Sequence, residues 1–323
     1  MLEKRDQSFD CLKGILITLV VYGHISYVGT LDVVLRVISD AIYLFHMPIF
    51  FILSGVFFKP VLDRNRLRNF FYRLVFPYLV FYSCYLIILW LAGCYGSIEM
   101  SNSFDGEWMS ALFVSPIASF WYLHSLIFFG VLMSFLIHFV SKVSRPEYWR
   151  STFYFFAVLL ITWGLANLGF RLYLWASFYL LVGFLCSKYI LGFERSWGAT
   201  SVGFCLVCLL PFYMPSQTNV EVFRSWQFLF VASLMVSFLG ARKWFTSSFL
   251  AFVGRNSLLV LLFHVYFLNV MKPAKSLFLA LDASGVLYVA VATALGVYGS
   301  IWVGYVLDKT RVFSILFKSK AVQ

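Results

Sequence analysis

The chain has 323 residues, 62% of them hydrophobic and only 12% charged, with a mean hydropathy of +0.86 and a formal net charge of +11. Too little polar surface remains to coat a soluble domain, so this composition predicts an all-α polytopic membrane bundle. No nucleic-acid recognition module accompanies the basic surplus, which reads as a topology signal instead.

The first apolar run covers 14–30. Its leader holds Glu3, Asp6 and Asp10, and Tyr22 and His24 stand where a signal peptide needs small residues, so a retained helix is expected. Lys13 and His24 flank the run eleven residues apart. On a helix that is three turns, about 16 Å along one face. A cation at the membrane surface then stands under an imidazole near mid-bilayer, a costly pair that marks a functional site. An anchor lysine and a helix-packing histidine account equally well for the pair taken alone.

Further runs at 41–58, 74–93, 119–140, 152–167, 172–187, 198–213, 226–240, 248–269 and 285–306 bring the expected count to about ten helices. With the N-terminus placed in the cytoplasm, all of the 25 Lys and Arg residues fall in inner segments except Arg36, Arg171, Arg224, Lys272 and Lys275. That bias predicts cytoplasmic termini at both ends, in the cell membrane. The six cysteines mostly lie inside apolar runs and read as small packing residues.

In the second run His46 is followed by Pro48, which removes a backbone donor and frees a carbonyl near Leu44; the same kink serves packing equally well. Between this run and the next, Lys59, Arg64, Arg66, Arg68 and Arg73 gather around a single acid, Asp63. Such a cluster either anchors to anionic headgroups or receives a phosphorylated cofactor through bidentate guanidinium contacts. The alternating topology puts His24, His46, His124 and His264, from four helices, between the midplane and the outer face, with His138 interfacial. Trp121, Tyr122, Trp163 and Tyr173 near outer ends suit either an interface belt or stacking on sugar faces.

Phe9 to Gly14 followed by Val20 to His24 resembles the opening of the membrane-bound acyltransferase 3 family, whose signature is a basic residue, ten positions and a histidine. Phe45 to Gly55 is similar to the family's second-helix motif, closest to the branch described as fucose 4-O-acetylase-like, and Phe120 to Leu123 and Gly254 to Leu258, running on to His264, resemble later landmarks. Lys13 departs from the more usual arginine, and His124 stands where relatives often carry proline. Many relatives append an SGNH-type domain; here residues 1–323 are expected to form a single membrane module.

The resemblance implies transfer of an acyl group, usually acetyl, from cytoplasmic acyl-CoA to a sugar hydroxyl of a glycan or lipid-linked glycan. A base within reach of the hydroxyl proton is then required. His24 is the candidate, with Asp10 a possible partner if close. His46 would orient the acceptor or stabilise an oxyanion, and an acyl-histidine route stays open. Lys13, Arg66, Arg68 and Arg73 would hold the CoA phosphates, and Trp121, Tyr122 and His264 would contact the acceptor, with no metal and with a homo-oligomer compatible. A glycan or anionic-solute transporter using the same cavity without chemistry is the alternative, though no internal repeat supports it; a non-catalytic partner of a glycan-assembly complex is a third.

Overall fold

A computed structural model describes residues 6–61, 63–94, 108–117, 119–140, 146–170, 172–193, 196–209, 220–311 and 322. Helix α1 (Gln7–Gly23) starts where the Asp6 carboxylate accepts from the Ser8 amide at 2.9 Å, capping a first turn that also contains Asp10. It therefore begins seven residues before the predicted 14–30 run and stops before His24. Hydropathy misplaced it because Ser8 and Asp10, both polar, are buried by tertiary contacts.

After α1 come α2 (Asp32–Tyr43) and α3 (His46–Val56), then α4 (Arg64–Phe70), which passes through a π turn at Phe71–Val75 into α5 (Phe76–Cys94). Next are α6 (Trp108–Phe113), α7 (Phe120–Val140), α8 (Glu147–Asn167), α9 (Leu174–Leu185), α10 (Ser187–Leu191), α11 (Trp197–Leu209) and α12 (Val220–Ala241). The chain closes with α13 (Ser248–Arg255), α14 (Ser257–Met271), α15 (Lys275–Leu281) and α16 (Val286–Lys309). No strand occurs among the described residues.

Each predicted run overlaps helix, but three are broken: 41–58 becomes the end of α2 plus α3, 172–187 becomes α9 plus the start of α10, parted at Cys186, and 248–269 becomes α13 plus α14, parted at Asn256. By length and composition, seven helical runs among the described residues are able to cross a membrane: Asp32–Val56, Arg64–Leu91, Phe120–Val140, Trp149–Asn167, Phe223–Trp244, Ser257–Leu281 and Val286–Lys309. Leu174–Leu185 and Trp197–Leu209 are shorter apolar helices, and α1 has 17 residues. Of the topology charges, Lys4, Arg5, Lys142, Arg145, Arg171, Arg195, Lys318 and Lys320 lie outside the described residues, as do positions 210–213 of the 198–213 run.

Helix α1 is central, packed chiefly on α13 and also against α2, α3, α14 and α16. In lipid, helices associate through close backbone approach and dispersion, not through hydrophobic exclusion. Gly14 and Gly254 provide that approach reciprocally: a Cβ on Gly14 would meet the Leu250 carbonyl, and one on Gly254 the Asp10 carbonyl. The Cys11 thiol, donating to the Ser247 carbonyl at 3.1 Å, fixes the same pair one turn away. Gly55 of α3 and Gly183 of α9 repeat the device.

At the opposite end of α1, the connection to α2 is stapled to the turn before α16. The Thr30 amide donates to the Ala283 carbonyl at 2.9 Å and the Leu31 amide to the Ser284 carbonyl at 3.3 Å. Gly29 (φ +96°) and Gly285 (φ +83°) make this possible, since both occupy backbone conformations that side chains disfavour. The staple holds the α14–α16 pair beside the end of α1.

Gly254→Ala should lower the unfolding midpoint in detergent, corresponding to about 1–3 kcal/mol for an overpacked contact. Gly164→Ala, in α8 with nothing within 4 Å of the added Cβ, should leave the midpoint unchanged or raise it. Equal effects at the two positions would show that the α1–α13 contact tolerates added volume.

Candidate active site

Three histidines from separate helices meet at one end of the bundle. His24 caps α1, His46 opens α3 and His264 lies in α14. The His24 and His264 rings are 5.2 Å apart, edge to face. Tyr43, the last residue of α2, links them to His46, with ring separations of 6.4 Å to His24 and 4.9 Å to His46. Its hydroxyl donates to the Gly23 carbonyl at 3.0 Å, tying α2 to the end of α1.

All three imidazoles are held alike. His24 Nδ1 lies 2.8 Å from the Val20 carbonyl, His46 Nδ1 2.7 Å from that of Ile42, and His264 Nδ1 2.7 Å from that of Val260. A carbonyl only accepts, so each Nδ1 carries the proton and each Nε2 is left with a lone pair, a tautomer assigned from this network. His46 and His264 are fully buried, and their Nε2 atoms have no partner among the described residues. A buried polar atom without a partner is costly, and the Nε2 atoms of His46 and His264 are two such atoms, each able to accept a proton.

The break between α2 and α3 is where Pro48 frees a carbonyl. Proline has no amide proton to give Leu44, and the Leu44 carbonyl instead accepts from Gln227 Nε2 of α12 at 2.8 Å. The sequence located this carbonyl beside His46 but not its partner, which lies 183 residues away.

A cavity of about 260 Å³ lies alongside α1, lined there by Lys13, Ile17 and Val20. Val20, Met47 and Leu261 line it within one turn of His24, His46 and His264 respectively. Lys13 and Arg255 also line it, along with Ser54 and Tyr122, whose hydroxyls are 2.7 Å apart. The Lys13 ammonium sits 4.4 Å over the Phe57 ring, a cation–π contact that steadies a charge within the protein. The cavity is thus lined by two cations and by hydroxyl groups, while His24, His46 and His264 are chain neighbours of its lining residues and do not line it themselves.

Other sequence candidates lie elsewhere. Asp10 is buried in the first turn of α1, about 21 Å along the helix from His24, and so is not its partner. His124 does not join the other three; its Nε2 lies 3.0 Å from the Phe113 carbonyl and its ring packs beside Tyr78 at 6.3 Å. Trp121 packs in an aromatic cluster with Phe51, Tyr173 and Trp175, while its neighbour Tyr122 faces the cavity. Arg66, Arg68 and Arg73 are exposed and do not line the cavity, though Leu74 does. Arg66 pairs with Asp63 at 3.2 Å.

Arg255 was missed as a site residue. Its signal was available in Gly254 to Leu258: a glycine permitting contact with α1, followed by a cation. Tyr43 left no signal of comparable strength.

The acyltransferase 3 family model, described as an acyltransferase domain, matches residues 6–305. The chain belongs to this acyltransferase family. Over 57 residues it is 49% identical to nodulation protein NolL of Mesorhizobium japonicum and 47% identical to nodulation protein NolL of Sinorhizobium fredii. These matches cover 16% of this chain and 15% and 16% of the two relatives, so the chain spans about a sixth of the curated relatives it matches. No solved structure matches.

Gln227→Leu should destabilise the protein by about 1–3 kcal/mol, because it removes the donor to the Leu44 carbonyl and leaves that acceptor unpaired. Unfolding in detergent measures this. A midpoint equal to wild type would show that the Leu44 carbonyl finds another donor.

Proposed function

We propose that this acyltransferase moves an acetyl group from acetyl-CoA, bound from the cytoplasm, to a hydroxyl of a cell-surface or lipid-linked glycan. The observation that supports this reading is one cavity lined by Lys13 and Arg255 whose other lining residues include Val20, Met47 and Leu261, which lie within a turn of three histidines with Nδ1 held by backbone carbonyls. The spacing suits a long donor: its phosphates pair with the cations while the pantetheine arm carries the thioester toward the imidazoles. In this reading both termini are cytoplasmic, in the inner membrane, and the exposed Arg66, Arg68 and Arg73 surround the donor's entrance.

His24 acts as general base, the one of the three imidazoles that is only partly buried. Its Nε2 takes the proton from the acceptor hydroxyl as that oxygen attacks the thioester carbonyl. The C–O bond forms, the C–S bond breaks, and the proton passes from His24 to the departing thiolate, giving an O-acetyl ester and free CoA. His46 and His264 accept hydrogen bonds from neighbouring acceptor hydroxyls and so fix which oxygen attacks. Their backbone-held rings are preorganised for that task.

With purified full-length protein and labelled acetyl-CoA, His24→Ala should lower transfer to a glycan extract by about 10²–10⁴ while acetyl-CoA binding persists. Normal transfer by the folded variant would remove His24 from the chemistry.

Arg255→Ala and Lys13→Ala should each weaken acetyl-CoA binding by about 1.5–3 kcal/mol, the range for a lost hydrogen bond to a charged group. Unchanged affinity in both would place the donor outside this cavity. Binding of acetyl-CoA without transfer to any glycan would count against the carbohydrate acceptor.

A further inference from the structure

A second cavity, of about 500 Å³, lies between α8, α9 and α12. That is within the range of about 300–1,000 Å³ usual for small-molecule sites. Its aromatic wall comes from Trp175, Phe178, Tyr179 and Phe228, the last two rings stacked at 6.3 Å with 29° between their planes. Arg224 and Gln227 supply its polar lining.

The polar groups of this cavity are left open. Tyr179 is only 3% exposed, yet its hydroxyl bonds to no group among the described residues. The Trp175 indole N–H likewise has no acceptor among them. Gln227 is anchored through Nε2 on the Leu44 carbonyl, which leaves its Oε1 as an acceptor with no partner among the described residues. Arg224 has no acidic partner there either. These groups are available to bond a ligand that enters the cavity.

We infer that this cavity is a sugar-binding subsite, holding a ring of the carbohydrate acceptor. A sugar ring offers C–H faces to the aromatic wall, and its hydroxyls both accept from Trp175, Tyr179 and Arg224 and donate to Gln227 Oε1. A lipid acyl chain fits the wall but leaves all four polar groups unsatisfied. One hydrogen bond and one aromatic contact lead from the cavity toward α3, the helix that His46 opens. Gln227 touches Leu44, two residues from His46, and the Trp175 ring lies 5.6 Å from that of Phe51 and 5.7 Å from that of Trp121. A saccharide seated here keeps one ring in the cavity while the next extends toward the imidazoles. The inference rests on the proposed transfer to carbohydrate.

The test uses the full chain in a sugar-free detergent, since a maltoside would occupy the site. Thermal unfolding and tryptophan fluorescence are followed during titration with methyl hexosides, methyl 6-deoxyhexosides and N-acetylhexosamine tetramers. At least one of these classes should raise the midpoint saturably. Tyr179→Phe should weaken that binding about 3- to 10-fold by removing one hydrogen bond, and Trp175→Leu should abolish it, while acetyl-CoA affinity stays at the wild-type value. No response to any saccharide, or a response equal in wild type and Tyr179→Phe, would overturn the subsite. If Trp175→Leu does not fold, the nearly isosteric Tyr179→Phe decides alone. A protein that binds saccharide through these residues but neither binds nor uses acetyl-CoA supports the subsite and overturns the acyl-transfer reading, so the two failures are distinguishable.

Discussion

The close contact between α1 and α13 is the constraint on which the rest of the site depends. Two glycines let the backbones touch, and Lys13 and Arg255 thereby line one cavity although 242 positions separate them in the chain. In a membrane this contact cannot be replaced by hydrophobic exclusion, because lipid tails compete equally for apolar surface. Small residues and backbone proximity must supply the association. The two cations are only partly buried, and the Phe57 ring receives the Lys13 ammonium.

The histidine end obeys a different rule, with the backbone itself acting as the orienting partner. His24 uses a carbonyl of the helix it terminates, His46 reaches back across the α2–α3 break to Ile42, and His264 bonds within an unbroken turn. In catalytic triads a carboxylate commonly sets the tautomer. Here a carbonyl four residues earlier does so without introducing a negative charge into the protein interior. Asp10 lies at the far end of α1 and so takes no part in holding the His24 ring.

Much of this was legible in the sequence wherever the information was local. Depth grouped His24, His46 and His264, and Pro48 marked a freed carbonyl at Leu44, whereas of the Lys13 and His24 pair only Lys13 lines the cavity. Depth alone failed for His124, since equal height in a bundle does not imply the same face. The start of α1 was misread because hydropathy treats Ser8 and Asp10 as solvent-seeking, whereas tertiary packing buries them. Gln227 as donor to Leu44, and Arg255 as neighbour to Lys13, depend on pairings between distant helices that no single-helix pattern encodes.

The π turn at Phe71–Val75 also has a bearing on the arginine cluster. A turn of this kind accommodates one residue more than an α-turn. At 100° per residue, that extra residue displaces everything on one side of it by roughly a quarter of a revolution relative to an uninterrupted helix. A helical wheel drawn straight through Arg64–Leu91 therefore assigns Arg66 and Arg68 to the wrong azimuth relative to Tyr78 and Tyr82. The buried tyrosines of α5 and the exposed guanidinium groups of α4 are set by two separate phases of one continuous helix, so the charged segment keeps its outward aspect without dictating which side of α5 meets the core.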